Sequence, residues 1–149
     1  MPRDLARRAT VPHLRSALAA LLAVGLAGTA LELVLMEHLE DWWQRIPLAL
    51  IGAGLVALAW HRKAASRGSV IALRLVMLLF LVSAGLGVVL HAKGNREFAL
   101  ERAPDLAGRE MLAEMATGAF PALAPGTMAL LGLIGLLLTW RHPSLGYPE

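Results

Sequence analysis

The chain has 149 residues, 57% of them hydrophobic, and a mean hydropathy of +0.60, more apolar than a soluble domain at roughly 45–50%. It contains no cysteine, which excludes disulfides, thiolate metal sites and thiol nucleophiles. Its net charge of +3 comes from basic residues flanking apolar runs, so it points to orientation in a membrane and away from nucleic acid.

The basic leader MPRDLARRATVPHLR precedes the run ALAALLAVGLAGTALELVLM. About twenty such residues, at ~1.5 Å each, span the ~30 Å hydrocarbon core of a bilayer. The run is too long for a signal-peptide core and lacks a small-x-small exit, so it is expected to be a retained first span, residues 16–36. The joint EHLEDWWQR follows. Trp42 and Trp43 are expected at headgroup level, opening a second span over 43–60, with Pro47 in its first turn. A basic turn, HRKAASRGS, leads to a third span over 70–91, in which Arg74 is expected to snorkel to the phosphates.

The longest joint carries charges of both signs. Within it Gly108, Met111, Leu112 and Met115 share one helical face, with Glu110 and Glu114 toward the other. This predicts a short amphipathic helix over 105–117, lying on the membrane or capping the bundle, with an ordinary solvated helix as the alternative. Pro121 and Pro125 precede a fourth span, residues 123–140. The predicted fold is therefore all-α: a polytopic membrane protein with four transmembrane helices in a bundle, one domain over 1–149.

Lys and Arg set the expected orientation. Arg3, Arg7, Arg8 and Arg15 in the leader and Arg62, Lys63 and Arg67 in the middle turn place both termini in the cytoplasm of the bacterial inner membrane. The first joint has only Arg45 against Glu37, Glu40 and Asp41, so it faces outward, as does the acidic long joint. The strings LAWHRK and LTWRHP end spans two and four alike, which suggests two hairpins in parallel repeat; Trp, Arg and His are also what any span leaves at an interface. Each span has one small-xxx-small pair: Gly25 with Thr29, Ala53 with Ala57, Ser83 with Gly87, and Gly135 with Thr139.

Glu32 is the sharpest candidate for chemistry. It lies on one side of its helix with Gly25, Gly28 and Thr29, a stripe on which a neighbour, the third helix for instance, would approach closely. The acid is either a proton or cation site or a structural residue bonded to a neighbour such as Thr29 or to the headgroups. At the outer ends Glu37, His38, His91 and Glu97, near Glu40, Asp41 and Asn95, would suit zinc or copper if helices one and three were neighbours, although no metal motif is present. His38 with His91, and His61 with His142, occupy positions that two bis-histidine haems (haem b) would need, but helix ends among charges fit interfacial histidine better. No cofactor and no catalytic residue is expected.

The strings LELVLMEHLEDWWQRIPL, LHAKGNREF and PALAPGTMALLGLIGLLLTWRHP resemble those of small uncharacterised four-helix bacterial membrane proteins. That resemblance covers most of the chain and implies four spans and a bacterial origin. It carries over no activity and no functional residue. Four-helix DoxX-like proteins share the size without sharing characteristic residues. The expected function is a non-enzymatic accessory or assembly subunit of a larger membrane complex, its partners being lipid and other subunits or a second copy. The rival is a small-molecule, proton or metal-ion handling protein built on Glu32 and the outer His/acid cluster.

Overall fold

The computed structural model describes residues 2–37, 41–120 and 124–147, with side chains described from residue 10 onward. Its helices are α1 (Pro2–Leu35), α2 (Trp42–Lys63), α3 (Arg67–Arg102), α4 (Gly108–Thr117) and α5 (Gly126–Leu138), followed by a 3-10 turn at Pro143–Leu145; the described residues contain no strand. Three stretches are long and apolar enough to cross a membrane: Thr10–Leu35 within α1, all of α2, and α3. Within their most apolar windows the chain itself buries only 17%, 22% and 22% of the residues, so most of that surface is left for hydrocarbon. Val24, Val56 and Val82 stand outward on these faces.

The helix limits differ from the expected spans for local reasons. The basic leader is not separate, because α1 continues through it and through Pro12. α2 opens at Trp42 behind Asp41, whose backbone N–H donates to Gln44 Oε1 at 3.2 Å. Pro47 therefore lies inside α2 and not in its first turn, and it withholds a donor from the carbonyl four residues back. The turn before α3 is tight: Ser66 Oγ accepts from the Ser69 N–H at 3.2 Å and caps the helix. α3 runs past residue 91 to Arg102, with Lys93 and Glu97 paired one turn apart at 3.6 Å. α5 has only 13 residues, about 20 Å of helix, so it is shorter than the span expected over 123–140. Residue 123, where that span was expected to open, and Pro121 before it lie outside the described residues.

Packing follows the small residues. α3 and α5 run antiparallel, with Gly87 against Pro125 and Gly132 against the Met77 carbonyl, where a Cβ would meet atoms at 2.8 and 2.9 Å. Gly135 lies directly beneath the Met77 side chain, leaving room for no other group. Met77 also reaches α2, where a Cβ on Gly54 would sit 3.5 Å from both Met77 Cε and Leu26 Cδ1. The buried core is therefore Leu22, Leu26, Ile51, Leu73, Met77, Phe80, Leu131 and Leu138, drawn from α1, α2, α3 and α5. Of the anticipated small pairs, Gly135 and Thr139 are buried, whereas Ala53 is exposed and Gly54 packs beside Ala57 in its place.

α1 packs on α2 and α5, and α3 packs on α2, α4 and α5. Of the stripe on α1, Gly25 lies against Leu131 of the last helix, in place of the third helix anticipated, while Gly28 meets nothing within 4 Å. α4 docks on the extension of α3. Its buried residue is Met111, with Glu114 and Met115 half-buried and Leu112 66% exposed, so the docking face is turned away from Leu112. Glu114 pairs at the surface with Arg102, which donates to its Oε2 at 3.0 Å.

Candidate functional site

The polar groups gather at two levels. At one end of the bundle, α2 finishes on His61, Arg62 and Lys63, the last two being cations that suit a helix C-terminus. His61 is buried, and its Nδ1 lies 3.4 Å from Ser69 Oγ. Ser69 spends its single proton on the carbonyls of Ala64 (2.7 Å) and Ser66 (2.9 Å), so the contact with His61 assigns the imidazole proton to Nδ1. His142 is buried too, and its Nδ1 accepts from the Ser144 N–H at 3.2 Å. The two rings meet edge to face with centroids 5.0 Å apart. Ser144 Oγ closes the group by donating to the Ala65 carbonyl.

LAWHRK and LTWRHP thus converge in space without sharing a conformation. α2 stays helical through Lys63, whereas α5 stops at Leu138 and the chain turns with Arg141 at φ 44°. Direct ring contact between His61 and His142 leaves no gap for a macrocycle, so this pair does not frame a haem.

Arg74 is held by Thr139. Its Nε donates to Thr139 Oγ1 at 3.2 Å and an Nη2 proton goes to the Thr139 carbonyl, satisfying an orphan acceptor at the end of α5. Thr139, fully buried, donates its own proton back to Gly135 and Leu136. Arg15 of α1 reaches the Arg141 carbonyl at 3.1 Å. Three arginines from α1, α3 and the chain beyond α5 therefore stand close together.

At the opposite end, expected to face outward, the anticipated candidates separate. Glu32 is exposed on α1, about one turn from the helix end, and has no side-chain partner among the described residues. Thr29 is half-buried one turn before it. Glu37 follows α1 with φ 52°, His91 packs edge-on to Phe120 at 6.4 Å, and Glu97 pairs with Lys93. His38 and Glu40 lie outside the described residues. Among the described residues no group of three His, Asp or Glu could hold a metal ion.

Asn95 is the outer polar group whose role the sequence did not reveal. It is buried, its amide donates to the carbonyls of Met115 (3.1 Å) and Phe120 (2.7 Å), and its Oδ1 accepts from the Phe120 N–H at 2.7 Å. Gly118 lies against it, where a Cβ would be 2.8 Å from Asn95 Cγ. An asparagine one turn before Ala99 on the inner stripe of a helix was the available signal.

No protein-family model, no curated protein and no solved structure matches the chain.

Proposed function

We propose that this is a four-span protein of the bacterial inner membrane, with α1, α2, α3 and α5 as its bundle and both termini in the cytoplasm. Its role in this reading is non-enzymatic: an accessory or assembly subunit of a larger membrane complex. The observation that carries the proposal is Glu32, an acid within an apolar span that finds no side-chain partner among the described residues. An unpaired carboxylate in hydrocarbon is unfavourable by up to about 3 kcal/mol at a helix centre and less toward its end. A donor on another subunit, or on a second copy, removes that cost. A groove of about 310 Å³ between α1 and α2 supports the same reading: Ser16, Ala19, Ala20 and Ala23 form its α1 wall, opposite Leu55, Leu58, Ala59 and Arg62, and small residues let a partner helix approach.

Mild solubilisation followed by native mass spectrometry tests it. The intact protein is expected in a stoichiometric assembly, and Glu32→Ala should weaken that assembly while leaving the isolated chain folded. A wild-type chain that is always alone, or one that carries bound copper, zinc or haem by metal analysis and visible absorption, would overturn the accessory role. Orientation is read separately. With no native cysteine to interfere, Asp105→Cys should react with an impermeant reagent in intact cells and Lys63→Cys should not.

A further inference from the structure

A groove of about 430 Å³ opens at the inner ends of α3 and α5, lined by Arg74, Leu136, Trp140, Arg141 and Tyr147. We propose that it binds the phosphate headgroup of an anionic phospholipid, held between Arg74 and Arg141. This inference goes beyond the accessory role and does not depend on which partner that role involves.

Charge comes first. Among the described residues no acidic side chain lines the groove, and Arg15, outside its lining, bonds to the Arg141 backbone at 3.1 Å. Like charges gathered at the edge of an apolar slab call for an anion. The donors needed are present: Arg74 has five N–H groups and gives two to Thr139, one from Nε and one from Nη2, leaving three. Those two bonds also hold the guanidinium in place, so its orientation is set before any anion arrives. The side chain of Arg141 makes no ion pair among the described residues. Its backbone occupies the left-handed region at φ 44°, where glycine or asparagine would be less strained. Strain at a residue with a free cationic head is a feature that ligand sites often carry.

The remaining walls fit a lipid better than a free anion. Trp140 and Tyr147 are both exposed, as aromatic residues of the membrane interface are, and Leu136 continues the wall toward the hydrocarbon. A phosphate seated on the arginines would thus have its glycerol and acyl chains running along Trp140 and Leu136. Basic pockets between membrane helices on the cytoplasmic side bind acidic headgroups in this manner.

The full chain, delipidated in detergent, is titrated with phosphatidylglycerol, with phosphatidylcholine of the same acyl chains, and with inorganic phosphate, reading lipid adducts by native mass spectrometry and the melting temperature in parallel. Phosphatidylglycerol is expected to bind and stabilise at concentrations where phosphatidylcholine does not. Arg141→Gly should weaken that binding roughly tenfold, the worth of a charge-assisted bond, while the melting temperature of the lipid-free protein stays level or rises. Arg141→Asn, which also tolerates a left-handed backbone, should show the same loss. Arg62→Gln, a cation of the same end outside this groove, should bind as the wild type does. Equal binding of the two lipids would overturn the proposal. So would stabilisation by inorganic phosphate equal to that by phosphatidylglycerol, which would make the groove a free-anion site. A loss in Arg62→Gln as large as in Arg141→Gly would overturn it as well, reducing the effect to diffuse surface charge.

Discussion

Replacing Gly132 by alanine should destabilise the protein, whereas the same change at Gly28 should not. A Cβ at Gly132 would lie 2.9 Å from the Met77 carbonyl oxygen, 3.0 Å from Leu81 Cδ2 and 3.2 Å from Phe80 Cβ. Ordinary carbon contacts sit at about 3.5–4.0 Å, so α3 and α5 must part by roughly half an ångström. One of the obstructing atoms is backbone, which no rotamer change can move aside. A gap of ~0.5 Å forfeits about a quarter of each dispersion well along the seam, where Met77 and Phe80 are fully buried. Overpacking of this kind costs about 1–3 kcal/mol, partly offset by the gain of up to ~1 kcal/mol from replacing a helical glycine. At Gly28 nothing lies within 4 Å, so only the gain applies. The two variants, identical in chemistry, should therefore differ by about 2 kcal/mol. Unfolding by SDS in mixed micelles, followed by tryptophan fluorescence, measures that difference. If Gly132→Ala unfolds within ~0.5 kcal/mol of Gly28→Ala, α3 and α5 are not in close glycine contact and the packing argument fails.

Asn95→Leu should release the chain after α4 at a cost of about 2–4 kcal/mol, because the Phe120 N–H and the Met115 and Phe120 carbonyls lose their partner; unchanged hydrogen exchange at the Phe120 amide would refute the clamp. Met111→Lys should undock α4 and speed exchange throughout it, while Leu112→Lys, already exposed, should leave exchange as it is. Glu114→Lys sets two cations side by side at Arg102, yet the pair is solvent-exposed, so the loss should stay below about 1 kcal/mol and shrink in high salt. Arg74→Gln should lower stability by about 1–2 kcal/mol through the uncapped end of α5, detected as faster exchange at Thr139 and Trp140 and not in α2.

Run length and composition alone determined that this chain is helical and suited to a membrane. Twenty consecutive apolar residues have one stable backbone in hydrocarbon, because every N–H and C=O must be satisfied within the segment. The short amphipathic helix was legible for the same local reason, since its period lies in the order of residues. Helix ends were less legible. Pro47 was expected in a first turn and lies inside α2, because Asp41 and Gln44 start the helix earlier. α3 outran its apolar stretch, because Asn95 and Ala99 find burial against α4 beyond it.

Neighbours were decided by the tertiary structure. Hydropathy says that a face is apolar and is silent about which helix will cover it, and each of these helices carried a small-residue pair able to receive another. Gly25 went to α5, where Leu131 stands opposite, and α1 met α2 and α5 in place of α3. The fate of each polar side chain followed from those choices, since a hydrogen bond needs a partner within about 3 Å and that partner is distant in sequence. Arg74 turned to Thr139, 65 residues on; on α4 Met111 is buried while Leu112 stays exposed. Glu32 had the same need and is exposed, with no side-chain partner among the described residues.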